Sequence, residues 1–568
     1  MLSAGEAEVV TRVCELLVPG SAAVRPDLYL AATLPALRPA DEDIVRAAIG
    51  VMAGVTDEAT LARLSGSAAF DRFRRLAIEA FYGDFAPPGH TGPTGHDVID
   101  FLPPQAVRLR KDWSFLGHAE SAPGPWDRFP PGPDEAEVIV VGSGAGGGVV
   151  AALLAERGVD VLLLEAGGFE PAAAHTRFEL EARQRLWWPT RLVSTSDDLP
   201  IALLSGRCVG GSTVINTKVA MRAPELDLGP WYDLIEARLG VRERTDWTPS
   251  VHRVEKGFVA LGASLRPVRS YTDHNCSRCG SCLQGCPTNA GKSTLNTFLM
   301  PALATGNLRI RTRHSVSHVL VENGRAAGVA CGQTAVSAPA VVLAAGAINT
   351  PQILLRTFEM AEIDTPSSRA VGRTLGLHPA RLVYGRFPEP QDCHQVYPIT
   401  AHHVRDDFVV EATTIQDPVS FAESLVDAEH RPLWGMRLAD VVRGYRYWAG
   451  LLVMATDENT ATIELGIDDV VISKRFSATE KRRMDEALAF GIEVLRAAGA
   501  QDVVWTGLST THMQGSAPMG TVVDDHGRSP DIEGLYVADS SLIPTSLSVN
   551  PSLTVMALAA KVAEEIGT

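Results

Sequence analysis

The chain reads as an α/β fold: a parallel sheet assembled from segments far apart in the sequence, an antiparallel-sheet domain inserted between them, and an all-helical domain in front. Three observations predict this. A β-branched run, Val138–Val141, leads through Gly142, Gly144 and Gly147 into a helical stretch and a second apolar run, Val161–Leu164, which together make a βαβ unit. Two more short apolar runs, 341–345 and 535–538, lie much further on, and each ends at a residue that starts a turn, Gly346 and Asp539. Residues 381–387 and 460–465 alternate apolar with polar side chains, the pattern of strands that bury one face.

From Ser3 to about residue 116 apolar side chains recur three and four apart, as in Val9, Val10, Val13, Leu16 and Leu17, with breaks at Pro19, Pro35 and Pro39. Residues 1–118 are therefore expected to form a helical domain. The stretch 119–135 holds Pro123, Pro125, Pro130, Pro131 and Pro133 and reads as a stiff linker. The dinucleotide-type sheet then takes 136–225, 301–371 and 501–568, with insertions at 226–300 and 372–500, and a last helix is expected from Pro551 to about Ile566.

At 568 residues and 45% hydrophobic content the chain has material for about three to four domains with buried cores. A net charge of −16 without a Lys/Arg-rich block gives a nucleic-acid partner little electrostatic support. No basic, then apolar, leader opens the chain, so a cytoplasmic location is expected; no run of 18 apolar residues occurs, which leaves surface contact with a membrane as the one membrane mode open.

Gly142, Gly144 and Gly147 follow a strand and open a helix. That spacing permits a tight turn, close approach of backbone to a pyrophosphate and close packing of helix on strand, while the helix N-terminus offers its positive end to phosphate. Glu165, at the end of the second strand, stands where a carboxylate accepts from ribose hydroxyls and repels a 2′-phosphate. The motif alone fits FAD and NAD equally.

Five blocks separate the two: VIVVGSGAGGG with LLLEAGG, residues 206–216 (GRCVGGSTVIN), VVLAAGAINTPQILL, HMQGSAPMG, and GLYVADSSLIPTSLSVNPSLTVMALA. In this order, over about residues 137–568, they resemble the glucose-methanol-choline (GMC) oxidoreductase family, nearest to its long-chain alcohol oxidase members with a fused N-terminal helical domain. The resemblance implies FAD in a Rossmann-like domain and oxidation of an alcohol CH–OH group by hydride transfer to flavin. It places Gly210, Gly211, Ser212 and Asn216 around the flavin, Val316 by the adenine, and Gly346, Asp539 and Ser540 along the cofactor, with the helix after Pro551 aimed at the flavin pyrimidine. Removing hydride from a carbinol requires a base near neutrality, and by the family pattern H-x-x-G-[TS] that base is His512. Asn550 holds the position of the family's second His or Asn, where an amide hydrogen-bonds the substrate oxygen without competing as a base. His378, in Gly376-Leu-His378-Pro, is expected to be structural, with lining of the substrate cavity as the alternative.

Cys276, Cys279, Cys282 and Cys286 carry ferredoxin-like spacing, so an iron–sulfur cluster is the first expectation, with zinc or a metal-free thiol cluster as the alternatives. Cys14, Cys208, Cys331 and Cys393 read as buried small hydrophobes. The expected substrate is a small-molecule alcohol, hydrophobic and long-chain or steroid-like, with electrons passing to oxygen, a redox protein or a quinone. The alternatives are a sugar or polyol dehydrogenase passing electrons through an iron–sulfur cluster, and a hydroxynitrile lyase.

Overall fold

The protein was analysed as a computed structural model, which describes residues 1–101, 113–117, 132–175, 178–194, 199–405, 407–466 and 470–566; side chains at 114, 117 and 189–194 are outside the description. Most of the expected proline-rich linker, 118–131, lies outside the described residues.

In chain order the helical part is α1 (Ala4–Leu17), α2 (Pro26–Thr33), α3 (Pro39–Met52) and α4 (Ala68–Tyr82). Ser3 starts α1 with a reciprocal cap: its Oγ accepts from Glu6 N while Glu6 Oε2 accepts from Ser3 N at 2.7 Å. The nucleotide-type part begins with β1 (Val138–Val141), α5 (Gly147–Glu156) and β2 (Val161–Leu164), followed by β3 (Ile201–Gly206), β4 (Leu308–Arg311), β5 (Ala340–Leu343) and α6 (Gly346–Met360). Next come β6 (Ala380–Arg386), β7 (Ile399–Val404), β8 (Phe408–Thr413), α7 (Pro418–Ser424), β9 (Trp448–Ala455), α8 (Ala478–Ala497), β10 (Asp502–Thr506) and β11 (Leu508–Thr510). The chain closes with β12 (Leu535–Val537) and α9 (Ser552–Glu565).

The parallel sheet has the order β12-β5-β1-β2-β4, every pair parallel, so pieces separated by inserted domains meet side by side. Both faces of β1 and β2 are buried, which is why they read as unbroken apolar runs. The second sheet joins β3-β11-β6-β9-β8-β7 and is antiparallel except where β11 meets β3. Beyond the alternating region 372–500, this sheet takes in β3, β10 and β11 from either side of it. Residues 462–465 pair instead with 470–473 in a separate hairpin. Helix α8 covers the sheet face away from the cavity, and Gly491 lets it approach Val383 and Val453.

One apolar core runs from α1, α3 and α4 (Val10, Ile49, Phe70, Phe81) into the antiparallel sheet (Val383, Val410, Leu451), while the parallel sheet has its own. The helical domain is thus fused into the body of the molecule. Arg74 of α4 fastens it: the buried guanidinium donates to Leu433 O (2.6 Å), Ala422 O (2.9 Å) and Glu423 O (3.1 Å), the last two at the carbonyl end of α7. Burial pulls its pKa down to about 10. No described helix is long and apolar enough to cross a membrane. Replacing Arg74 leaves three buried carbonyls without a donor, so Arg74→Met is expected to lower stability by about 3 kcal/mol, read as an earlier melting transition; an unchanged transition would mean that the latch is idle.

Candidate active site

The carboxyl ends of β1, β5 and β12 face the inner side of the antiparallel sheet across a cavity of about 350 Å³. Its nucleotide end is shaped by glycines. Gly142 turns at φ +94°, and a Cβ on Gly146 would lie 1.6 Å from Ala538 O, one on Gly147 1.9 Å from Gly142 O. A Cβ on Gly144, by contrast, meets nothing within 4 Å, so this part of the turn is open. Such a cradle, narrow against protein and open towards the cavity at the start of α5, fits a pyrophosphate. The loop 206–216 packs onto the turn: Gly210 N donates to Ser143 Oγ (2.9 Å), and a Cβ on Gly211 would come within 2.7 Å of Gly144 Cα.

Of the residues singled out from sequence, Gly142, Gly144, Gly211, Ser212, Asn216, Gly346, His512, Asp539, Ser540, Asn550 and Pro551 border this one cavity. Gly147, Gly210, Glu165 and Val316 are not among the residues that line it. Glu165 is buried and ties the glycine turn to the end of β2: its carboxylate accepts from Ser143 N (3.0 Å), Ser143 Oγ (2.5 Å) and Gly167 N (2.8 Å). Burial still raises its pKa, those hydrogen bonds opposing. Val316 packs against the core of the parallel sheet. Asp539 accepts from Gly346 N (2.8 Å), Thr350 Oγ1 (2.5 Å) and Ser541 N (2.8 Å), so it joins the ends of β5 and β12 at the cavity's edge. Asn216 Nδ2 donates to Tyr271 Oη (2.5 Å), which in turn contacts Ser552 Oγ at the start of α9 (3.2 Å).

The other end of the cavity holds a pair of imidazoles. His512 Nδ1 lies 3.2 Å from His378 Nδ1, with ring centroids 5.2 Å apart. His378, expected to be structural, borders the cavity as His512's neighbour. Two backbone segments are zipped to bring this about: Gly376 N donates to Gln514 O (2.8 Å) and Gln514 N to Gly376 O (3.0 Å), while Thr510 Oγ1 accepts from His512 N (3.0 Å) and donates to Leu377 O. His378 adopts φ +46°, unusual for a residue with a Cβ, and Asp457 holds it there by accepting from Leu377 N (2.9 Å) and His378 N (3.2 Å). Asp457 also receives Ser546 Oγ (3.1 Å) and lies 3.5 Å from Lys474 Nζ, itself 2.6 Å from Glu480, and all three ionic side chains are buried. Burial lowers the pKa of both imidazoles: His378 falls to about 4, with Asp457 and Glu225 opposing, and His512 falls well below its usual value, with His378 adding to the effect. Both rings are therefore neutral at pH 7. The only legible trace of His378 and its turn was Gly376-Leu-His378-Pro; Asp457 left no trace in the sequence.

Elsewhere along the cavity the lining is mixed: Leu204, Leu283, Leu382, Ile399, Leu452 and Met454 form apolar stretches, while Lys218, Thr413, Thr414, Gln416 and Asp417 are polar or charged. Trp187 also borders it, its Nε1 donating to Leu283 O at 3.2 Å.

Cys276, Cys279, Cys282 and Cys286 do gather round one small cavity beside Tyr397, but its volume is about 20 Å³, room for about one water molecule. Among the described residues no three Cys, His, Asp or Glu side chains are arranged as metal ligands, and Cys286 Sγ instead accepts from Gly291 N at 3.2 Å. The four cysteines thus form a thiol cluster, and its geometry lends no support to the expected iron–sulfur cluster or to zinc. The four scattered cysteines are buried, as expected.

A glycine cradle at the carboxyl edge of a parallel sheet, facing a neutral histidine across a cavity, defines a nucleotide-dependent oxidoreductase. Family models described as GMC oxidoreductase match residues 136–380 and 444–559, and the chain belongs to that family. It is an FAD-dependent oxidoreductase of the alcohol dehydrogenase or oxidase class. Among curated relatives, a GMC-type oxidoreductase of Sinorhizobium fredii is 29% identical over 76% of this chain and 94% of its own length. A long-chain-alcohol oxidase of Arabidopsis thaliana is 27% identical over 76% of this chain and 67% of its own. A cholesterol oxidase of Acinetobacter baumannii is 23% identical over 74% and 93%. The fold matches that of pyridoxine 4-oxidase from Mesorbium loti, with a TM-score of 0.58 at 18% identity over 76% of this chain and 99% of that one.

Two variants test the geometry. Gly146→Ala drives a methyl into Ala538 O, and the protein is expected to purify without flavin absorbance; full FAD content would refute the cradle. Asp457→Ala removes the acceptor that holds the His378 turn and leaves Lys474 short of a partner, so a loss of about 3 kcal/mol is expected, together with slower flavin reduction; a stable variant with intact kinetics would contradict both roles.

Proposed function

We propose that the protein oxidises a hydrophobic alcohol, long-chain or steroid-like, at its CH–OH carbon and passes the electrons to oxygen. The observation that carries this reading is the neutral His512–His378 pair at a cavity that also presents an apolar stretch formed by Leu204, Leu382, Ile399, Leu452 and Met454. FAD, when bound along the glycine cradle, supplies the hydride acceptor. The names of the Arabidopsis long-chain-alcohol oxidase and the Acinetobacter cholesterol oxidase support the substrate class and the choice of oxygen.

The proton has a definite route. Of the two ways to share hydrogen between the Nδ1 atoms, only the one in which His512 Nδ1–H donates to His378 leaves His512 Nε2 with a lone pair for the alcohol hydroxyl. As Nε2 takes that proton, the positive charge on His512 is shared through Nδ1–H with His378, whose ring is buried in place. Asn550 holds the substrate oxygen with its amide N–H groups. The apolar stretch of the wall, Leu204, Leu382, Ile399, Leu452 and Met454, receives the hydrocarbon body.

An anaerobic screen of aliphatic alcohols of rising chain length, steroid alcohols and sugars, followed by flavin bleaching, tests the proposal. Bleaching should strengthen with chain length or appear with steroids. Bleaching by sugars alone would select the polyol alternative, and none with any alcohol would favour a hydroxynitrile lyase. His512→Ala should slow flavin reduction by about a hundredfold or more. Because the folded protein keeps His378 neutral down to about pH 4 while the unfolded chain protonates it below about 6.5, stability should be full above the unfolded value. It should fall as the pH drops through that window, by up to about 1.4 kcal/mol per pH unit for each such imidazole. Urea midpoints across the window read this slope, and a flat profile would contradict the neutral pair.

A further inference from the structure

The four clustered cysteines are not used by the chemistry above, and the side chains around them carry more positive than negative charge. Lys218 is 1% exposed and comes up against them: a Cβ on Gly291 would lie 2.9 Å from Lys218 Cε and 3.6 Å from Cys286 Sγ. Its ammonium donates to Val214 O (3.2 Å) and Thr213 O, and no carboxylate pairs with it among the described residues. Burial works against its charge, and the neighbours that favour it are thiols, Cys282, Cys286 and Cys208. Arg244, buried over the ring of Tyr397 at 4.3 Å, shares Asp246 with Arg278, and its Nε has no partner among the described residues. Lys292 pairs with Asp273. Lys218, Arg244, Arg278 and Lys292 thus stand against Asp246 and Asp273 alone.

Part-exposed thiols in electropositive surroundings are the reactive kind, and all four cysteines are part-exposed. Cys286 has a donor of its own, the Gly291 N–H at 3.2 Å from its Sγ. Cys282 lies one turn away: Gly285 N donates to Cys282 O (3.3 Å), which brings the chain back on itself just before Cys286. Both border the small cavity beside Tyr397, whose size suits a molecule little larger than water and shuts out bulky oxidants.

We propose that Cys286 and Cys282 form a dithiol that hydrogen peroxide oxidises to a disulfide, with Lys218 as the cation that activates Cys286. The sulfur of Cys286 attacks one peroxide oxygen and the O–O bond breaks. A sulfenic acid forms, and the other oxygen leaves as hydroxide, which takes up the proton that Cys286 gave up. The Cys282 thiol then attacks that sulfur: the S–S bond forms, the S–O bond breaks, and the departing hydroxide takes the thiol proton as water. Two thiols lose two electrons, and one peroxide becomes two waters.

The passage of two electrons to oxygen supplies the peroxide, and for that source alone the inference rests on the proposed function. Gly280 and Pro398 border both the thiol cavity and the large one, so peroxide released in the large cavity has one wall between it and the thiols. Leu283, between the two cysteines in the chain, lines the large cavity, and its carbonyl accepts from Trp187 Nε1 (3.2 Å). The loop that the disulfide closes is therefore part of the wall.

The test adds peroxide in stoichiometric amount to the flavin-loaded protein with its thiols reduced, so it does not require any alcohol to be oxidised. Mass spectrometry should show Cys282 linked to Cys286: after cleavage at Leu283 the two fragments stay joined and part on reduction, while Cys276 and Cys279 remain thiols. Cys286→Ser should abolish the link, and Lys218→Met should slow its formation by about tenfold or more. In the untreated wild type, iodoacetamide should label Cys286 ahead of the other three, which tests the activation without relying on the folding of any variant. Equal labelling of the four thiols, no disulfide, a link between another pair, or iron or zinc that stays on the cysteines through purification overturns the proposal. A link that forms with added peroxide, but not during turnover in air with an alcohol that bleaches the flavin, leaves the dithiol standing and removes oxygen as the electron acceptor.

Discussion

Backbone meets backbone at the glycine turn, and the rest of the site is arranged around that contact. Gly146 passes so close to the carbonyl of Ala538 that no side chain fits between them, and Gly211 rests on Gly144 in the same way. These approaches fix the end of β12 and the loop 206–216 relative to the start of α5. They leave a groove with a helix N-terminus at one end and the antiparallel sheet at the other. Glu165 and Asp539, both buried, spend their hydrogen-bonding capacity on the same junction, accepting from backbone and hydroxyl donors on either side. The groove is thus rigid before any ligand arrives, which favours tight placement of a cofactor over adaptable binding.

At the other end desolvation does the chemical tuning. Two imidazoles within 3.2 Å and out of water cannot both hold protons, and neither needs to. Neutral imidazoles can accept a proton, and the contact between them offers a place for the charge that either ring would then carry. The structure maintains this against strain: His378 stands in the left-handed region because a buried carboxylate, Asp457, takes both of the N–H groups that the turn exposes. Lys474, shared between Asp457 and Glu480, then offsets part of that charge away from the site.

Local patterns carried the fold far. Continuous apolar runs ending in glycine or aspartate mark strands buried on both faces, and their placement in one parallel sheet follows from right-handed crossovers and from the need to bury those faces. The glycine spacing, His512 and Asn550 could be read because each is a residue type whose role depends on short-range sequence. Glu165 was legible as a carboxylate at a strand end, but the structure gives its oxygens to Ser143 and Gly167. The four clustered cysteines show the limit of spacing: pitch brings thiols near one another, and only the packing around Tyr397 and Gly291 decides where they point.

By itself, then, the sequence determined the layered α/β architecture, the family, the glycine turn and the histidine that borders the cavity, since periodicity and turn chemistry act over a few residues. Tertiary structure alone decided that the helical domain shares a core with the antiparallel sheet, that His378 faces His512, and that Asp457 stands behind the His378 turn. Those partners are separated by tens to hundreds of residues and meet through backbone pairing such as Gly376 with Gln514. Their protonation is set by the loss of water around them, a property of the packed interior that no local stretch of chain possesses.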